Sequence, residues 1–365
     1  MNFSKKNHDF KQKIVTMRKN IILKTKYVLL ALIIAVTFSC SNDDEPNTPN
    51  TPTDPIVRDI YVCGYEYNGT KDVATYWKNG VEIPLTDGTQ NSDASTIIVV
   101  NSNVYVTGSE SNGTRNVATY WKNGIATPLT DGVQNASASS IVVVDNDVYV
   151  VGLKSNGAKN VATYWKNGTA TALTDGTQNA KTSDITVVGN DVYVAGYEYN
   201  GVHFVATYWK NGITIPLTDG TRYAFAEAIT VIGNDVYVAG SEYNGTKYVA
   251  TYWENGIAIP LTDGTQQAGA KAITVIGNDV YVVGYEHNGT KNVATYWKNG
   301  IATSLTDGNQ SAYAEAIAII GDDVYVAGYK SNGGDNIATS WKNGVTINLA
   351  TSGDSEAYSL FVTTE

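Results

Sequence analysis

Acidic side chains return at one place along this chain: Asp87, Asp131, Asp175, Asp219, Asp263 and Asp307 each stand inside Thr-Asp-Gly, at intervals of 44 residues. A loop carboxylate is calcium chemistry in principle. Calcium takes about six to eight oxygens, however, and each loop offers one carboxylate, so the aspartate is read as capping its own turn. Two cysteines cannot build a disulfide framework or a four-thiolate zinc site, and three histidines leave little metal or general-base chemistry. The residues that break the repeat, His203, Arg222, Glu254, His287 and Ser340, pair no nucleophile with a base at a usable spacing. No phosphate-binding glycine motif is present. The chain is therefore read as a non-enzyme with no catalytic residues, no metal and no cofactor. Carboxylates facing one another across an axis keep a polysaccharide-degrading enzyme as the alternative.

Aromatic side chains offer more. Tyr67, Tyr199, Tyr243 and His287 precede Asn-Gly steps, and Tyr223, Phe225 and Tyr313 lie in the stretches that differ most among copies of the repeat. Aromatics carried on variable loops over a constant frame are where a ligand is expected, and these seven are the candidate ligand-binding residues. The competing reading has them packing on adjacent loops.

The elements that position them follow from one ruler. All seven tryptophans, Trp77, Trp121, Trp165, Trp209, Trp253, Trp297 and Trp341, are 44 residues apart. A period of about 40 to 50 residues with several strands per unit marks propeller blades. One unit, read from Asp184, gives four strand-like segments separated by Gly189-Asn190, Asn200-Gly201 and Asn211-Gly212, dipeptides that suit two-residue hairpin turns. In the third segment Tyr and Trp are neighbours, so both faces of the sheet carry a large aromatic and both need covering. Radial packing between like sheets covers them, and each tryptophan is read as buried fold structure. Pro84, Pro128, Pro216 and Pro260 place the fourth strand at the outer edge, which leaves the first strand, short and rich in Ile, Val and Ala, at the axis. The first copy starts at its second strand and the chain ends with an extra first strand, so residues 357–364 are expected beside 60–64, closing the ring. The expected fold is all-β: a seven-bladed β-propeller of four antiparallel strands per blade, occupying 56–365. Its upper face holds the second-strand tips and the connections between blades; its lower face holds Lys78, Lys122, Lys166, Lys210, Glu254, Lys298 and Lys342. Cys63 takes the slot of Ala195 and Ala239 and is read as a small buried thiol.

The segment ahead of the repeats reads as an address. Tyr27 to Phe38 is an apolar run behind Lys24 and Lys26, too short to span a hydrocarbon core of about 30 Å and suited to a signal peptide. Thr37-Phe38-Ser39-Cys40 resembles the lipobox of bacterial lipoproteins, with Thr37 where Leu is usual. That resemblance implies a signal peptide over 1–39, with a start at Met1 or Met17, and diacylation of Cys40. Asp43, Asp44 and Glu45 resemble the acidic export signal of surface lipoproteins of Bacteroidota, which implies a lipid anchor in the outer membrane, at the cell surface. Pro46, Pro49, Pro52 and Pro55 make 40–55 an extended tether that reaches about 3.1 Å per residue. The repeats resemble bacterial extracellular repeats with a Trp-x-Asn-Gly core followed by Leu, a likeness that implies no particular activity.

Charge narrows the partners. Eight of the 25 basic residues and one of the 35 acids lie ahead of Cys40, so the remainder carries 17 bases against 34 acids, near −17. Such a surface repels phosphate backbones, and nucleic acid is not an expected partner. The expected protein is a monomeric binding module for an extracellular glycan or protein, touching the membrane through its lipid alone. A structural or adhesion role in the envelope is a further alternative.

Overall fold

The computed structural model describes residues 58–350 and 353–363. Cys40, Asp43, Asp44, Glu45 and the rest of the leader and tether lie outside the described residues. The described chain folds into 28 strands in seven four-stranded antiparallel sheets, with no helix among the described residues. Blade 1 joins the two ends of the chain: Ser355–Val362 is its inner strand, followed outward by Ile60–Tyr67, Asp72–Lys78 and Val81–Pro84. The inner strands of blades 2 to 7 are Ser92–Val100, Ala136–Val144, Ala180–Val188, Ala224–Ile232, Ala268–Ile276 and Ala312–Ile320. These inner strands neighbour one another around the whole circle, including Ala312–Ile320 with Ser355–Val362 and that strand with Ser92–Val100. The ring is closed by the expected pairing, which runs from Ile60 opposite Val362 to Glu66 opposite Ser355 with one shift of register between Cys63 and Gly64. The proline-bearing fourth strands are the outer edges.

Each tryptophan is essentially inaccessible and packs against the preceding blade. Trp253 of blade 5 sits among Tyr193, Ala195, Ala206 and Leu217 of blade 4. Trp77 of blade 1 packs with Ala327 and Ala338 of blade 7, so the closing interface uses the same joint as the others. Cys63 fills an alanine slot at 0% exposure, and burial pushes its thiol well up.

Two local expectations are corrected. Asn79-Gly80 and its equivalents do form two-residue turns with both residues at positive φ, 53° and 80°. Asn68-Gly69 and its equivalents do not. There the strands pair Tyr67 with Asp72, leaving a four-residue tip in which only Gly69 has positive φ. Asn68 holds that tip with its side chain: Oδ1 accepts from the backbone N–H of Thr70 and Lys71, and Nδ2 donates to the Gly88 carbonyl at 3.0 Å. The last bond ties the tip to the connection between blades and places both on the upper face.

The second correction concerns the inner strand, which begins four residues earlier than Asp184, at Ala180, and is not short. A β-bulge splits it. The pairing of Thr182 with Gly196 is followed by that of Asp184 with Ala195, leaving Ser183 without an opposite number. The same bulge occurs in all seven inner strands. Opposite it the second strand always carries glycine, because a Cβ on Gly240 would stand 1.9 Å from the Phe225 carbonyl oxygen.

Candidate site at the upper mouth of the axial channel

A bulge re-aims the extra residue. The seven extra residues are Ser95, Ser139, Ser183, Glu227, Lys271, Glu315 and Tyr358, one per blade, and all seven line a cavity of about 390 Å³ in the axial channel. They form one level of the channel, a ring of hydrogen-bonding groups without a single apolar member. Asp93, Lys181 and Asp184 also line the cavity, so its wall carries four acids and two lysines.

The ring has two halves. Around blades 1 to 4 the residue after the bulge ties its blade to a neighbour. The Ile97 N–H donates to Ser359 Oγ at 3.3 Å, and Thr96 Oγ1 donates to the Ser139 carbonyl at 2.8 Å. Asp184 spans three blades, accepting from Ser140 Oγ at 2.8 Å and from the Ile229 N–H at 2.9 Å. Blades 5 to 7 have Ala228, Ala272 and Ala316 at this place, beside the charged side chains Glu227, Lys271 and Glu315. Lys271 Nζ is 4.0 Å from Glu227 Oε1, and none of these three side chains makes a hydrogen bond to another described residue. Burial lifts the Glu315 carboxyl above its usual range, and Lys271 opposes that rise. Burial works against the Lys271 ammonium, but Glu315 and Glu227 outweigh it and hold its pKa high. Burial also raises Asp93, against Ser109, Ser95 and Lys181, which favour its charged form.

The sequence candidates fall above this ring. Phe225 and Tyr313 belong to inner strands and not to connections, because those strands start at Ala224 and Ala312; Tyr223 is the last residue of its connection. Tyr199 and Tyr243 are the final residues of second strands and pair across to Phe204 and Tyr248. Four candidates join one aromatic cluster over blades 4 and 5. Phe225 meets Tyr197 edge-on at 4.8 Å and lies 5.8 Å from Phe204 and Tyr248; Tyr199 reaches Phe204, Tyr243 reaches Tyr248, and Tyr223 meets His203 at 4.7 Å. The Tyr197 phenol in this cluster is pushed up to about 12 by burial. Tyr313 heads a second cluster over blades 6 and 7, stacked on Tyr329 at 4.9 Å and edge-on to Tyr285 at 5.0 Å. Tyr67 stands apart from both clusters, 42% exposed, and the His287 ring accepts from the Gly289 N–H at its own tip.

The ring of bulge residues is what sequence reasoning missed. Its signal was present: in blades 5 to 7 the inner strand reads Ala-x-Ala-x-Ala, with Phe225 and Glu227, Gly269 and Lys271, and Tyr313 and Glu315 at x. Both x positions point to the same side. The Thr-Asp-Gly aspartates behave as expected, Asp87 Oδ1 accepting from the Thr89 N–H at 2.9 Å and from its hydroxyl. No cluster of three or more metal-ligating side chains occurs among the described residues.

No protein-family model matches the chain, and no curated protein does. Among solved structures, the chain is similar to TolB from Acinetobacter baumannii at 9% identity and a TM-score of 0.47, covering 81% of this chain and 65% of that one, which is less than two thirds of TolB. It is also similar to the periplasmic gluconolactonase PpgL of Pseudomonas aeruginosa at 10% identity and a TM-score of 0.43, covering 84% of this chain and 99% of that one. Likeness of this degree speaks to neither activity nor ligand.

Proposed function

We propose that this protein is a lipid-anchored propeller at the outer surface of the cell whose upper mouth holds an extracellular glycan. The observation that carries the reading is where the copies differ. Tryptophans and turn asparagines repeat in every blade, while the bulge residues facing the axial cavity run Ser, Ser, Ser, Glu, Lys, Glu, Tyr around the ring. A concave polar cavity beneath aromatic clusters suits a sugar chain better than a protein surface, which seeks a broad patch. The leader supports the address through its apolar run, Cys40 and the acidic residues behind it. A glycan array probed with the purified protein tests the reading. Binding to at least one class of extracellular polysaccharide, with reduced adhesion in a deletion strain, is the expected result; an empty array with unchanged adhesion overturns it.

A second reading, hydrolysis or elimination within a bound polysaccharide, has one observation in its favour. Glu227 and Glu315 flank Lys271, and burial lifts Glu315 toward the protonated form a general acid needs. Incubation with polysaccharides separates the two readings, since only an enzyme shortens the polymer.

A further inference from the structure

The two x positions of the inner strands put two kinds of surface over the same three blades. Phe225 and Tyr313 occupy the upper position in blades 5 and 7. Between them stands Gly269, where a Cβ would lie 3.0 Å from the Tyr285 ring, so that ring fills the gap. Directly below, Glu227, Lys271 and Glu315 present acceptor, donor and acceptor in sequence. A sugar ring has the matching pair of surfaces: a C–H face that packs on aromatics and a rim of hydroxyls, each able to donate and accept. The opposite wall sets Ser95, Ser139 and Ser183 beside Asp93, Lys181 and Asp184, and the buried Ser183 Oγ has no hydrogen-bond partner among the described residues. At about 390 Å³ the cavity lies at the low end of the roughly 300–1,000 Å³ range of small-molecule sites, with room for a chain end and not for a folded partner.

Charge sets the class. Lys271 lies between Glu227 and Glu315, and the four acids of the wall exceed its two lysines by two. We infer that the axial cavity is a subsite for the terminal, uncharged residue of a glycan, entering end-on from the upper mouth, and that it rejects uronate and sulfated sugars. This rests on the glycan reading above and adds the location, the orientation and the charge class of the ligand.

Full-length protein in detergent is titrated with neutral gluco-, manno- and xylo-oligosaccharides and with oligogalacturonates. Glu315→Gln replaces one carboxylate oxygen of the wall with an amide donor, and Ser95→Gln projects a longer side chain into the cavity from the opposite wall. Lys210→Gln on the lower face is the control, and thermal melting verifies folding. The expected result is binding of a neutral series with at least tenfold discrimination against the uronates, a loss of tenfold or more in both cavity variants, and less than twofold change in the control. Equal or tighter binding of uronates overturns the inference. So does neutral binding that both folded cavity variants retain within twofold, which leaves the glycan reading standing on the aromatic clusters alone. Failure of every oligosaccharide to bind removes the glycan reading itself.

Discussion

Blades 1 to 4 and blades 5 to 7 share a frame and differ at its hub. In the first group Ser359, Thr96, Ser140 and Asp184 lace neighbouring blades together just past the bulge. In the second, three alanines take their place, beside the bulge side chains Glu227, Lys271 and Glu315. A propeller does not need the lacing to close, since the tryptophan joint is the same at all seven interfaces. Three of the seven hub positions thereby take no part in holding blades together.

The largest effects test whether the frame is equal in the two halves. Trp209→Ala and Trp297→Ala each remove a fully buried indole and are expected to cost about 3–5 kcal/mol, by chemical denaturation. Costs that differ by more than the scatter of such measurements break the comparison. The hub itself is sharpened by Asp184→Ala against Glu315→Gln. The first strands the Ile229 N–H and the Ser140 hydroxyl and is expected to cost about 2–4 kcal/mol. The second breaks no hydrogen bond. Because burial raises Glu315 in the folded state above its ordinary value of 4.5, the folded protein holds that proton more tightly than the unfolded chain. Its contribution is therefore most favourable below pH 4.5 and is lost as pH rises through the folded value. The melting temperature of Glu315→Gln is expected to rise relative to the parent between pH 4 and pH 8, and a falling difference contradicts the assignment.

The smallest effect belongs to the lower face, where the same cluster recurs with the opposite sign. Asn211 and Lys210 hold Asp191 below its ordinary 3.8, with Lys210 Nζ at 2.9 Å and over the Tyr193 ring. Stability from such a group is present above pH 3.8 and lost as pH falls through the depressed value. Asp191→Asn is expected to lower the melting temperature slightly at pH 7 and not at all near pH 2. The pair is exposed, and salt weakens it further.

The frame was legible because its causes are local and repeated. Tryptophan spacing set the blades, Asn79-Gly80 and its copies set the lower turns, the prolines set the edge, and the offset between the termini set the closure. The hub was hidden by one extra residue per strand. Alternation is the mark of a strand, and a bulge resets it: up to Ser183 the channel-lining residues are odd-numbered, Lys181 and Ser183, and past it Asp184 breaks the count. The stretch from Ala180 to Ser183 therefore looked like the tail of a connection, and its diversity reinforced that impression. Asn68 misled in the opposite way, since Asn-Gly suits a two-residue turn as well as the side-chain-held tip it forms. The candidate aromatics were found because they are conspicuous by type; Glu227, Lys271 and Glu315 are ordinary surface residues until the strand containing them is known to line a channel.

The seam of the ring carries an obligation for how the molecule is made. Tyr358 is supplied by the final strand of the chain, and it completes the hub as that strand completes blade 1. A polypeptide interrupted before this point has six finished blades, an unpaired edge and an incomplete collar around its opening. Closure of the circle and completion of its collar are thus a single late event, which waits for the last strand of the chain.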